Sequence, residues 1–88
     1  MIKSKLEDVN IYPNPITGNG FIAFNSLEAT EQLISIYDIA GRVVYEKTYA
    51  IKQGENKLTL ETTNLTKGMY FIHLADGAEG VNIKFIKE

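Results

Sequence analysis

The chain contains no cysteine. That one absence removes disulfides, thiolate nucleophiles and cysteine-based zinc sites together. It leaves the redox compartment open, because an oxidising compartment permits disulfides without requiring them. Histidine occurs once, as His73, so a Ser–His–Asp triad or a two-histidine metal pair would rest on a single imidazole. No apolar run approaches the roughly 18–20 residues of a membrane helix, so no membrane span is expected. No charged, then apolar, then small-residue pattern opens the chain, so no secretory leader is expected within it. Nor does one sign of charge dominate: nine Lys and Arg face eleven Asp and Glu, for a net charge of −2. With no cationic excess to neutralise phosphates, nucleic acid is not an expected partner.

What is present is one ordinary globular domain. Eighty-eight residues leave no room for a second core. At 44% hydrophobic and 23% charged, the composition excludes disorder. Turn-forming stretches fall at short intervals, at 13–19, 26–31, 39–42, 52–55, 62–67 and 76–80. Between them lie segments rich in Ile, Val, Phe, Tyr and Thr. They predict seven strands: Val9–Tyr12, Phe21–Asn25, Leu33–Asp38, Val43–Ile51, Asn56–Glu61, Met69–Ala75 and Val81–Lys87. Alternation is clearest where Leu58 and Leu60 oppose Lys57, Thr59 and Glu61, where Val81, Ile83 and Phe85 oppose Asn82, Lys84 and Ile86, and where Ile34 and Ile36 oppose Leu33, Ser35 and Tyr37. One-sided burial of antiparallel sheets gives this pattern. Residues 1–8 are polar and unpatterned and read as a linker, leaving 9–88 as the domain.

Leu65, Gly68 and Tyr70 form L-x-x-G-x-Y just before the sixth predicted strand. This spacing fits a tyrosine corner, in which a tyrosine hydroxyl bonds back to the preceding backbone. The expected fold is therefore all-β, an immunoglobulin-like antiparallel Greek-key sandwich of about seven strands. Asp38 and Gly41, three residues apart, read as turn chemistry, since Asp bonds its own following backbone.

Few residues carry chemistry. His73 has no second His to pair with and reads as an outer-face strand residue. The close acidic pairs, Glu7 with Asp8 and Glu28 with Glu31, are not the convergent carboxylates of a hydrolase. No calcium-loop spacing occurs. No catalytic residue, metal site or cofactor is expected, and the chain reads as non-enzymatic. Tyr37, Tyr45 and Tyr49 are the residues on which an exposed sugar- or partner-binding face would be built, although tyrosine is simply favoured in strands. Asn64-Leu65-Thr66 is a formal glycosylation triplet of the kind that recurs by chance. Pro13-Asn14-Pro15 is more specific: two prolines end the first strand sharply and make a rigid loop suited to recognition.

In order and spacing these motifs resemble one family. They are Val9 with Ile11-Tyr12-Pro13-Asn14-Pro15, then Ile34-Ser35-Ile36-Tyr37-Asp38 followed by Gly41-Arg42-Val43-Val44. After these come Gly54 with Asn56, Leu65 with Gly68-x-Tyr70-Phe71-Ile72, and the finish Lys84-Phe85-Ile86-Lys87. The pattern is similar to the type A C-terminal sorting domain of the type IX (Por) secretion system. The resemblance implies an immunoglobulin-like sandwich behind a larger secreted cargo of the Bacteroidetes. It implies recognition by the type IX translocation machinery, periplasmic transit, and delivery to the cell surface or medium. It also implies removal by a sortase-like surface protease, expected in or before residues 1–8. Asp38, Gly41, Leu65, Gly68 and Tyr70 would serve the fold. Pro13, Asn14 and Pro15, with Val81, Ile83, Lys84, Phe85, Ile86 and Lys87 of the last strand, are the expected recognition residues. Edge strands would offer backbone for strand addition and for weak homodimers. The competing expectation is an accessory fibronectin-like or carbohydrate-binding module of a secreted enzyme.

Overall fold

A computed structural model describes residues 6–76 and 79–88. Seven strands run along it: β1 (Leu6–Tyr12), β2 (Gly20–Ser26), β3 (Thr30–Asp38), β4 (Val43–Ile51), β5 (Gly54–Leu60), β6 (Gly68–Asp76) and β7 (Glu79–Lys87). All pair antiparallel with their neighbours. They form a three-stranded sheet in the order β1-β2-β5 and a four-stranded sheet in the order β4-β3-β6-β7. The fold is thus an all-β sandwich. In an immunoglobulin constant domain the fourth strand lies beside the fifth. Here β4 pairs with β3 instead, which leaves β4 and β7 as the edges of the larger sheet.

Period-two burial places the core. In β2, Gly20, Ile22, Phe24 and Ser26 are buried and the residues between them half-buried. Ile34 and Ile36 of β3, Ile51 of β4, Leu60 of β5, Tyr70, Ile72 and Leu74 of β6 and Phe85 of β7 join them in the interior. β1 begins at Leu6, three residues earlier than the sequence predicts. Leu6 is buried and opposite Ser26, so Leu6, Glu7 and Asp8 belong to the strand; the rest of the expected linker, 1–5, lies outside the described residues.

Two devices close the sides of the sandwich. On one side Tyr49 spans from β4 to β5: its hydroxyl donates to the Thr59 carbonyl at 2.8 Å and lies 2.6 Å from the Tyr45 hydroxyl. On the other side Ile16, between β1 and β2, is fully buried and bridges in parallel to Lys87. At one end Thr62, also fully buried, donates to the Gly18 carbonyl at 2.7 Å and accepts the Gly20 N–H at 3.1 Å. At the other end the Asn56 amide donates to the Lys52 and Gly54 carbonyls and accepts the Lys52 N–H, holding the β4–β5 turn. Among the described residues, every buried side-chain polar atom has a partner, as a small core requires.

Two outcomes follow. Ile72→Ala removes most of a fully buried side chain and is expected to cost about 2–5 kcal/mol, read by urea denaturation. Burial first, then the Tyr45 hydroxyl and nearby Glu61, push the Tyr49 phenol well above its ordinary range. The fold holds the neutral form, whereas an unfolded tyrosine ionises near pH ~10. The Tyr49 contribution is therefore complete below pH ~10 and declines as pH rises above it. Tyr49→Phe should be less stable at neutral pH, with a shallower loss of stability between about pH 10 and 12.

Candidate functional site

The last strand and the Pro13-Asn14-Pro15 loop meet. Both prolines follow cis peptide bonds, and Pro13, Asn14 and Pro15 are exposed. The Asn14 side-chain oxygen accepts the Ile86 N–H at 3.3 Å. Ile16 N–H donates to the Ile86 carbonyl, and Glu88 N–H to the Ile16 carbonyl, each at 2.8 Å. Residues 72 positions apart thereby make one composite edge. The Ile86 backbone turns away from β6, so by alternation that of Lys84 and Asn82 turns the same way. The loop occupies the terminal rungs of the β7 edge and leaves these earlier ones uncovered by any described strand.

Side-chain placement divides the expected recognition residues. Lys84 is exposed and Ile86 half-buried on the outer face. Val81 and Ile83 pack partly against the core, and Phe85 is fully buried. Lys87 points inward with 6% of its surface exposed, and its Nζ donates to the Glu88 carbonyl at 3.3 Å. A long cation can bury its aliphatic stem in this way while its ammonium keeps a polar partner. The cation offered at this end of β7 is therefore Lys84.

The fold residues gather at the same pole. Tyr70 Oη donates to the Thr66 carbonyl at 2.7 Å, which completes the tyrosine corner, and its ring stacks on Phe85 at 5.6 Å. Gly68 carries φ +153° at the bend, and Leu65 packs against the core. Asp38 pairs with Tyr70 across β3 and β6. Its carboxylate accepts the Ala40 and Arg42 N–H groups and the Arg42 Nε–H. The Arg42 backbone bond above all holds this carboxyl below its ordinary range, despite an opposing desolvation effect. Gly41, at φ +85°, supplies the left-handed step of the turn. Gly68 pairs with Lys87, so turn, corner and strand end lie together. The β1 start lies at the opposite pole, with Leu6 opposite Ser26 and Ser26 opposite Gly54.

The tyrosines do not form a common face. Tyr45 and Tyr49 turn toward the core, in register with Ile36 and Gln32. Tyr37, after a register shift, lies on the outer face beside Phe71. Register with Ile36 and Gln32 turns Tyr45 and Tyr49 inward, and alternation after Ile36 turns Tyr37 outward, so no tyrosine platform forms. His73 is an outer-face residue, with Nδ1 2.8 Å from Asn82 Oδ1 and its ring against Gly80. Among the described residues, no group of three or more acidic or histidine side chains is placed to hold a metal ion, and no helix is long and apolar enough to cross a membrane.

A family profile described as the secretion system C-terminal sorting domain matches residues 10–88. The chain belongs to this family. A comparison with curated proteins gives no match. The family is that of the type IX secretion sorting signal, so the domain works with the type IX machinery and directs a preceding cargo domain to the cell surface or the medium. Every motif block that carried the resemblance is structured in this sorting domain, and all but the Gly54–Asn56 turn and the start of the first block converge on the pole where β7 ends. Sequence reasoning missed Ile16 and Thr62. The available signal was an apolar residue directly after Pro15, inside an otherwise polar turn.

Two outcomes test this geometry. Asn14→Ala removes one acceptor from the composite edge. A single exposed bond is worth about 1 kcal/mol, so the Ile86 amide should exchange roughly fivefold faster while β3 amides stay unchanged. Asp38→Asn should remove the acid sensitivity of the β3–β4 turn. In the wild type the carboxylate contribution is complete above pH ~4 and is lost as pH falls through the lowered value, read by NMR shifts of the Ala40 and Arg42 amides.

Proposed function

We propose that the type IX machinery reads the composite edge formed by the outer side of β7 and the Pro13-Asn14-Pro15 loop. The observation that carries this reading is the Asn14–Ile86 and Ile16–Lys87 linkage. It presents the two recognition segments as one preformed surface, so little ordering entropy opposes binding. Asn82 and Lys84 offer unpaired strand edge to an incoming extended segment, and Lys84 and Ile86 supply side-chain specificity. Val81, Ile83, Phe85 and Lys87 act indirectly, by anchoring the strand to the core.

The two poles fit a division of labour. Cargo is joined ahead of Leu6, and the machinery binds the far end, along a molecule 36 Å in its longest extent. Cargo of any fold then leaves the recognition surface clear. The domain passes through the periplasm folded and is removed by a sortase-like surface protease. That cut falls ahead of Leu6, because Leu6 is buried and strand-paired and proteases prefer chain outside packed structure. The open β4 and β7 edges also support weak homodimers in concentrated solution.

The test is a secretion assay with a Sec leader, a fluorescent reporter and residues 1–88 in series. In a type IX-competent host the reporter should reach the surface or medium, and in a translocon-null strain it should stay in the periplasm. Deleting 81–88 would remove fully buried Phe85 and unfold the domain, so outward substitutions are the sharper tools. Lys84→Glu with Ile86→Asp should lower export about tenfold, equivalent to ~1.4 kcal/mol of receptor affinity, with the circular dichroism spectrum unchanged. Undiminished export of this folded double variant would sink the proposed surface. The new C-terminus of the released reporter should map ahead of Leu6.

A further inference from the structure

The outer face of the three-stranded sheet carries a hollow of about 530 Å³ that the sorting role leaves unused. Its cause is one small side chain. Ala23 sits mid-sheet, in one rung between Asn10 of β1 and Lys57 of β5. The rung to one side is Tyr12, Phe21 and Thr59. The rung to the other side holds Asn25 and Glu55. Larger groups stand around a methyl that cannot fill the space between them. At the rim, β1 breaks register between Glu7 and Asn10, and Asp8 there adopts φ 55°. Such bulges re-aim side chains, and Asp8 lines the hollow.

The lining has a consistent chemistry. Tyr12 is 38% exposed, and its ring centroid lies 5.7 Å from that of Phe21. Lys57 Nζ stands 4.7 Å from the Phe21 centroid and 5.7 Å from that of Tyr12, which fixes a cation beside an aromatic wall. The half-buried Asn25 amide makes no side-chain hydrogen bond within the described residues. The carboxylates of Asp8 and Glu55 are matched by the ammonium groups of Lys52 and Lys57, so the hollow has no net formal charge.

We propose that this hollow binds a neutral oligosaccharide. A sugar ring presents an apolar C–H face to Tyr12. Its neighbouring hydroxyls both donate and accept, as do the Asn10 and Asn25 amides, while the carboxylates accept and the ammonium groups donate. An anion would meet two carboxylates and a cation two ammonium groups. An apolar ligand would bury the Asn25 amide unpaired, at a cost. The site is on the opposite sheet from β7, so its success or failure is independent of the recognition edge.

The experiment is an ¹H–¹⁵N NMR titration of the 88-residue chain with neutral gluco-, manno-, xylo- and chito-oligosaccharides at millimolar concentration. At least one series should saturate and shift the Asn10 and Asn25 side-chain amides together with the Tyr12, Ala23 and Lys57 backbone signals. Tyr12→Ala should weaken that binding roughly tenfold, from the loss of an aromatic contact. Ala23→Leu, which deletes no contact and fills the floor, should abolish it, and it keeps the test valid if Tyr12→Ala does not fold. Tyr37→Ala, on the other sheet, should leave the affinity unchanged. No shifts with any series, shifts away from the hollow, or unaltered affinity in folded Ala23→Leu would each overturn the proposal.

Discussion

The arrangement depends on how the end of β7 is tied down. β7 is an edge strand, bonded along one side to β6, and an edge strand frays where its neighbour ends. Ile16 prevents this by bonding to the Ile86 carbonyl and the Glu88 N–H while burying its own side chain completely. One residue thus contributes a rung of backbone pairing and a core plug. Because Ile16 directly follows Pro15, anchoring it also sets the position of the proline loop. The loop and the last strand are ordered as a unit, and Asn14 adds its acceptor to the same edge.

The packing at that pole makes the same point from inside. Phe85 stacks on Tyr70, and Tyr70 is fixed by its hydroxyl to Thr66. Thr62, in the same connection between β5 and β6, holds Gly18 and Gly20 beyond the proline loop. The tyrosine corner and the proline loop are therefore two ends of one bonded structure. Its interior residues are invisible to a partner, yet they decide where Lys84 and Ile86 stand.

The strands were legible because a one-sided sheet writes its burial into alternate residues. Leu58 and Leu60, or Ile34 and Ile36, need no distant information. The tyrosine corner and the Asp38 turn were legible because each is closed within a few residues by its own side chain. The inward turn of Lys87 continues the Val81, Ile83, Phe85 period, and its charge alone argued against reading it so. Ile16 and Thr62 could not be read the same way, since their partners lie far along the chain. No common face of Tyr37, Tyr45 and Tyr49 forms for a related reason: pairing with Ile36 and Gln32 turns Tyr45 and Tyr49 inward, and that pairing is not written in the local sequence of β4. Of the candidate site, the sequence supplied both segments; their contact is a tertiary fact.

The proposed recognition surface puts the outer edge of β7 in contact with the export machinery. Site-specific photocrosslinking in a secreting cell would capture that contact, with the photoreactive residue placed at Lys84 in one strain and at Lys57, on the opposite sheet, in another. A covalent adduct should form between the Lys84 position and a component of the type IX machinery, and none from the Lys57 position. An adduct from Lys57 with none from Lys84 would overturn the proposed surface.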